Sequence, residues 1–179
     1  MGFLIQAAHK SQCAALVELV NRAYRPVNGE AGWTHESDWV AGHRIDAPAM
    51  ALLIRGGGIC VASHAASQRN AATVLGCVHY ALSDQDEGVA HIGLLAVEPR
   101  AQEQGLGRQL MLEAERLAAQ QGAYVARISV VNARNSLLAY YQRRGYCATG
   151  SRYPYPVDSG VGTPKKRQPL YLLELEKPL

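Results

Sequence analysis

Two glycines, Gly105 and Gly107, close the run Leu94-Leu95-Ala96-Val97-Glu98-Pro99-Arg100-Ala101-Gln102-Glu103-Gln104-Gly105-Leu106-Gly107-Arg108. With no Cβ at either position, backbone N–H groups can come close to a ligand. The first-turn amides of a helix starting there have no partner inside the helix. A phosphate docks in such a place because those donors act together with the positive end of the helix dipole. A tight turn that packs a helix on a sheet uses the same glycine pair, so the pair alone leaves both readings open. It is not a P-loop, since no Lys-Ser/Thr follows, and Gln102 to Gly107 cannot be written as GxGxxG. Farther on, Tyr140-Tyr141-Gln142-Arg143-Arg144-Gly145-Tyr146 supplies phenols. His91 supplies an imidazole, a side chain able to serve as a base.

The elements that position these residues follow from periodicity. Phe3 to Ala7 reads as a strand, and Ser11 is an N-cap candidate for a helix with Leu16, Val20, Ala23 and Tyr24 on one face. Pro26, Asn28, Gly29 and Gly32 mark a loop. A second helical region is expected from about Glu36 to Ile54, broken near Pro48 and ended by Gly56-Gly57-Gly58. Ile59 to Ser63, Val74 to Leu82 and Val89 to Val97 read as three antiparallel strands, with turns at Ser67-Gln68-Arg69-Asn70 and Asp84-Gln85-Asp86-Glu87-Gly88. The period then changes: Leu106, Leu110, Ala114, Leu117 and Ala118 share a helical face, and Gly122 suits the left-handed position past its end. Val125 to Val131 is a fifth strand, Ser136 to Arg144 a short helix closed by Gly145, and Tyr146 to Arg152 a strand. A Pro- and Gly-rich loop, Tyr153 to Pro169, precedes a last strand, Leu170 to Glu176.

The 179 residues, 48% hydrophobic, suit a single domain over 1–179. No run reaches the roughly 20 apolar residues of a membrane span, and no basic-then-apolar leader opens the chain, so a cytoplasmic protein is expected. Cys13, Cys60, Cys77 and Cys147 have no metal-ligand spacing and read as reduced thiols, with no metal site. Residues 1–90 carry 6 Lys/Arg against 8 Asp/Glu, and 91–179 carry 12 against 7. The basic half suits an anionic ligand. Its cations are dispersed apart from Lys165-Lys166-Arg167, which has no interleaved aromatics and reads as a solvated loop, so no nucleic-acid partner is expected.

A strand ending in Val97, Pro99 two residues on, then Gln102-x-x-Gly105-x-Gly107, resembles the coenzyme-A motif of the GNAT superfamily of acetyl-CoA-dependent N-acetyltransferases. Tyr140 to Tyr146 is similar to that family's second motif, and the element order agrees over nearly the whole chain. The resemblance implies an α+β (α/β) fold: a mixed, mostly antiparallel sheet of about seven strands flanked by about four helices. Its parallel fourth and fifth strands splay apart around the pantetheine arm. Acetyl-CoA (coenzyme A) is the implied co-substrate. Leu95, Ala96 and Val97 would meet the pantetheine. Amides of Gln102, Glu103, Gln104, Gly105, Leu106, Gly107 and Arg108 would hold the pyrophosphate, with the Arg108 side chain either assisting or solvated. One departure stands out: where the family commonly has Asn, this chain has Arg134 between Asn132 and Asn135, so the contact there falls to Arg134 or Asn135.

Amide formation from a thioester needs a neutral amine, a polarised carbonyl and a protonated leaving thiolate. By resemblance Tyr141 is the acid, a backbone N–H near Val97 polarises the carbonyl, and His91 occupies the position of the base. A packed histidine, with the proton leaving through water, is the competing account of His91. Tyr140, about 100° away on the helix, reads as a core or acceptor-pocket residue. Acceptor contacts are expected from Trp33-Thr34-His35-Glu36 and Trp39, and from Tyr153-Pro154-Tyr155-Pro156. Glu30, Glu36 and Asp38 either attract a cationic amine or form a solvated helix face. The expected partner is a small-molecule or peptide amine, and a homodimer is compatible with the sequence. A non-catalytic acyl-CoA sensor is the alternative, against which Tyr141 argues, because a binder has no use for a proton donor.

Overall fold

The computed structural model describes residues 2–26, 32, 35–65, 73–165 and 169–179. Strands β1 (Phe3–Ala7), β2 (Ile59–His64), β3 (Gly76–Leu82), β4 (Val89–Val97), β5 (Val125–Val131), β6 (Cys147–Pro154) and β7 (Tyr171–Pro178) form one sheet. Its hydrogen-bonded order is β1-β2-β3-β4-β5-β7-β6. All neighbours are antiparallel except β4 and β5. Helices α1 (Cys13–Tyr24) and α2 (Ala47–Arg55) cover one face, and α3 (Leu106–Gln120) and α4 (Asn135–Arg143) the other. This is the mixed, mostly antiparallel sheet with four helices that the sequence implies. No helix among the described residues is long and apolar enough to cross a membrane.

The two helical layers bury their apolar stripes on opposite sides of the sheet. Leu16, Leu19, Val20 and Ala23 of α1 pack with Val61, Cys77 and Ala96. Leu106, Leu110, Met111, Ala114 and Ala118 of α3 pack with Val78, Ala90 and Ile92. The helix ends use the expected glycines: Gly122 follows α3 with φ of 97°, and Gly145 follows α4 with φ of 90°.

Three local expectations are corrected. Residues 36–46 are not helical: a turn leads into a two-residue strand, Val40–Ala41, that pairs with Thr163–Pro164. The helix begins only at Ala47, where the Asp46 side chain accepts the Ala49 N–H at 2.8 Å and Pro48 occupies the first turn. Pro48 thus opens α2 and does not break it, because the first turn has no use for its missing N–H. Asp46→Ala is expected to cost about 1 kcal/mol of stability, read as a lower urea midpoint at unchanged slope. Ser11 does not cap α1, which starts after Gln12 without a side-chain cap; the cap lies one turn earlier at His9, whose ring accepts the Ser11 N–H while Gln12 reaches back to the His9 N–H at 2.8 Å, closing a single 3-10 turn ahead of the helix. The expected turn at Ser67 to Asn70 lies outside the described residues.

Candidate functional site

The site originates in one irregular residue. Between the pairs His79↔Gly93 and Cys77↔Ala96, β3 advances two residues and β4 three, so β4 carries an extra residue, a bulge at Leu94 with φ of 50°. The bulge reverses the alternation of β4. Ala90 and Ile92 face α3, whereas Leu94 and Ala96 face α1 and α2. The parallel pairing of β4 with β5 covers only Val89↔Val125, Ala90↔Ala126 and His91↔Arg127. Beyond that register the strands part, because a bulge bends and twists its strand away from its neighbour.

Backbone groups of β4 consequently face a gap. Glu98 donates its N–H to the Leu75 carbonyl at 2.8 Å, which makes Gly76↔Val97 a non-hydrogen-bonded pair and turns the Val97 N–H and C=O away from β3. The Val97 carbonyl accepts Nε2 of Gln102 at 3.2 Å, and the Leu95 carbonyl accepts the Tyr24 hydroxyl at 3.1 Å.

On the α3–α4 side the gap widens into a cavity of about 430 Å³. Val97, Gly105, Gly107 and Tyr140 form its apolar and backbone wall; Arg108, Arg134 and Arg143 give it a cationic lining against Glu103 alone. Gly105, with φ of 76°, stands at the N-cap of α3 and leaves that helix without a side-chain cap. The first bond within the helix runs from the Gln109 N–H to the Gly105 carbonyl, so the amides of Leu106, Gly107 and Arg108 have no partner inside it. A Cβ on Gly105 would meet no atom within 4 Å, and one on Gly107 only the Val97 Cγ2 at 3.7 Å and the Tyr140 hydroxyl at 3.9 Å. Uncapped amides, open space in front of them and the Arg108 and Arg143 side chains fit a pyrophosphate, whereas the buried Arg134 is engaged by Glu36.

A second cavity, of about 270 Å³, lies against β4 and β5 beside Tyr24 at the end of α1. Tyr24, Leu95, Leu137 and Tyr141 line both cavities, so the two meet at these four residues. Tyr141 is 7% exposed, and its ring stands edge-on to Tyr140 and Tyr146. Burial holds its hydroxyl well above the usual phenol range and pushes that of Tyr24 up to about 12. Both stay protonated at neutral pH. On the wall of the second cavity, Glu36 accepts from Arg25 at 2.9 Å and from Arg134 at 3.4 Å; Arg25 also reaches the Tyr155 hydroxyl and the Val161 carbonyl.

The residues expected from the sequence are thereby distributed. Leu95, Val97, Gln102, Glu103, Gly105, Leu106, Gly107, Arg108 and Tyr141 come together on the first cavity. His91, exposed, lines the second. Ala96 is fully buried on the α1–α2 face. The exposed Gln104 turns back to the Arg100 carbonyl, and Asn135 is exposed at the start of α4, beside the lining residues Arg134 and Ser136. Tyr140 packs against the core, as one of its two expected placements has it, and lines the first cavity and not the second. Asp38 is exposed, while Glu30, Trp33 and Thr34, as well as Lys166 and Arg167, lie outside the described residues. Lys165 is tied to the Ser37 and Trp39 carbonyls. Cys147 is exposed with only a long contact to the Gly145 carbonyl, and burial pushes Cys77 up to about 12, so neither is an activated nucleophile. Tyr24 was missed as a functional residue, because its helical spacing marks it as core; its position at the end of α1, just before Pro26, was the available signal.

Residues 13–146 match the model of the acetyltransferase (GNAT) family. The chain belongs to that family. Its co-substrate is acetyl-coenzyme A, and the first cavity has the cradle to hold it. The fold is shared with yncA, a putative acetyltransferase from Salmonella typhimurium solved with acetyl-CoA, at 20% identity and a TM-score of 0.69 over 100% of this chain and 95% of that one. It is likewise shared with a ribosomal-protein-alanine N-acetyltransferase from Brucella melitensis, at 21% identity and a TM-score of 0.67 over 98% and 99%. Ard1 from Thermoplasma volcanium, at 17% identity, has a TM-score of 0.69 over 100% and 99%. No curated protein matches the sequence significantly.

Proposed function

We propose that the chain is, over residues 1–179, an N-acetyltransferase that moves an acetyl group from acetyl-coenzyme A to a primary amine by direct attack. The observation that carries this reading is the meeting of two cavities at Tyr24, Leu95, Leu137 and Tyr141. A thioester in one and an amine in the other are brought within reach there, which supplies the proximity that catalysis needs. The Val97 N–H, directed into the gap, polarises the carbonyl. As the N–C bond forms and the C–S bond breaks, Tyr141 gives its proton to the departing sulfur, and the amine proton passes to His91, directly or through water.

The test is incubation with acetyl-coenzyme A and a panel of primary amines, following free thiol together with acetylated amine. Stoichiometric appearance of both is expected. Thiol release without acetylated amine would identify a hydrolase, and no release with any amine would leave a coenzyme-A binder.

A further inference from the structure

We propose that the acceptor is a small amine carrying a carboxylate close to its amino group, as a free amino acid does, and that Arg44 selects it. The proposal rests on the acyl-transfer reading and names the substrate class of that same site.

Arg44 is a built feature of the acceptor cavity. Asn21 holds its backbone: Oδ1 accepts the N–H groups of Arg44 at 2.7 Å and Ile45 at 3.2 Å, and Nδ2 donates to the Ile45 carbonyl at 2.9 Å. The half-buried guanidinium lies 5.3 Å from the centroid of the Tyr24 ring, and that ring forms part of the wall between the two cavities. Stacking on an aromatic ring occupies the face of a guanidinium and leaves its N–H edge for a planar, bidentate acceptor, which a carboxylate is.

The other charges of the cavity are already matched. Glu36 is held by both Arg25 and Arg134, so two guanidinium groups share one carboxylate. Arg127 is held by Asp86, Glu174 and Glu176. Burial holds His79 below the usual histidine range, toward the neutral form. Among the described residues no carboxylate lies within ion-pair distance of Arg44, so the junction end of the cavity has an excess of positive charge. A ligand carboxylate compensates it. The same field disfavours an ammonium there, which helps the acceptor reach the neutral form that attacks.

The cavity, at about 270 Å³, has room for a free amino acid. An adjoining basin with Asp84, Asp86 and Glu174 on its walls shares His91 and Arg127 with this cavity and would draw a polycation, but neither Arg44, Tyr24 nor Tyr141 lines it.

The experiment compares kcat/KM for L-amino acids with that for the matching amino-acid amides, polyamines and short peptides, using wild type, Arg44→Gln and Arg44→Lys. The coenzyme A dissociation constant of each variant is measured alongside. The wild type should prefer an acid over its amide by about tenfold or more, the scale of a charge-assisted hydrogen bond. Arg44→Gln should bring that ratio to within about threefold of unity, and Arg44→Lys should leave it intermediate, with cofactor affinity preserved in both. A wild type that acetylates amides, polyamines or peptides as well as acids overturns the proposal and leaves the acyl-transfer reading standing. An Arg44→Gln variant that lowers acid and amide turnover equally also overturns it. Absence of turnover with every amine would sink the acyl-transfer reading itself, and this assignment with it.

Discussion

Tyr141→Phe is expected to lower kcat by about 10²-fold or more while the dissociation constant of coenzyme A changes by less than about threefold. Tyr141 lines both cavities where they meet, its ring fixed edge-on between Tyr140 and Tyr146. Removing one oxygen keeps that ring packing, so thermal stability should change little. Since burial keeps the hydroxyl protonated far into the alkaline range, the acid is available across neutral pH. The rate–pH profile of the wild type should therefore show no descending limb from Tyr141 below about pH 10. Tyr140→Phe makes the complementary comparison. Its hydroxyl borders the Gly107 cradle, so its effect should fall on cofactor affinity and not on kcat. A Tyr141→Phe variant at full rate would mean that another group or water protonates the thiolate.

Gly107→Val should abolish most of the thermal shift produced by coenzyme A and weaken its binding at least tenfold, or about 1.4 kcal/mol. A Cβ here would sit in ordinary contact with Val97 and Tyr140, so the fold can accept a side chain at this position. What the added methyl groups occupy is the space in front of the uncapped amides. Gly107→Ala refines the comparison: the unliganded protein should gain stability, by up to about 1 kcal/mol from helix propensity, while affinity for coenzyme A falls. Opposite signs for stability and affinity would set the cradle apart from a mere packing turn. Retention of the full thermal shift by Gly107→Val would refute it.

The glycine pair was legible in the sequence because its chemistry is local. A left-handed Gly105 and a helix starting at Leu106 depend on a few consecutive residues, so residue type and spacing suffice to expect an amide cradle. The same holds for the stripe of α3 and for Gly122 and Gly145 at the helix ends. Residues 36–46 were misjudged because their conformation comes from elsewhere: Val40–Ala41 pairs with Thr163–Pro164, a partner more than a hundred residues away, and that ladder overrides weak helical propensity.

The sequence by itself therefore determined the family motif, the order of strands and helices, and the left-handed glycine ahead of uncapped amides at the start of α3, and it singled out Tyr141 as the acid proposed above. Only the tertiary structure decided what surrounds them. The extra residue in β4 has no signature in its apolar run, yet it ends the pairing with β5 and opens the gap. Glu36 read as bait for a cationic amine, but Arg25 from the end of α1 and Arg134 from the start of α4 converge on it. Arg44 and Tyr24 meet because Asn21 fastens residues 44 and 45 to α1. The physical reason is common to all three. Helix, turn and cap preferences are set within a few residues, whereas the charge and shape of a cavity depend on which distant side chains share it.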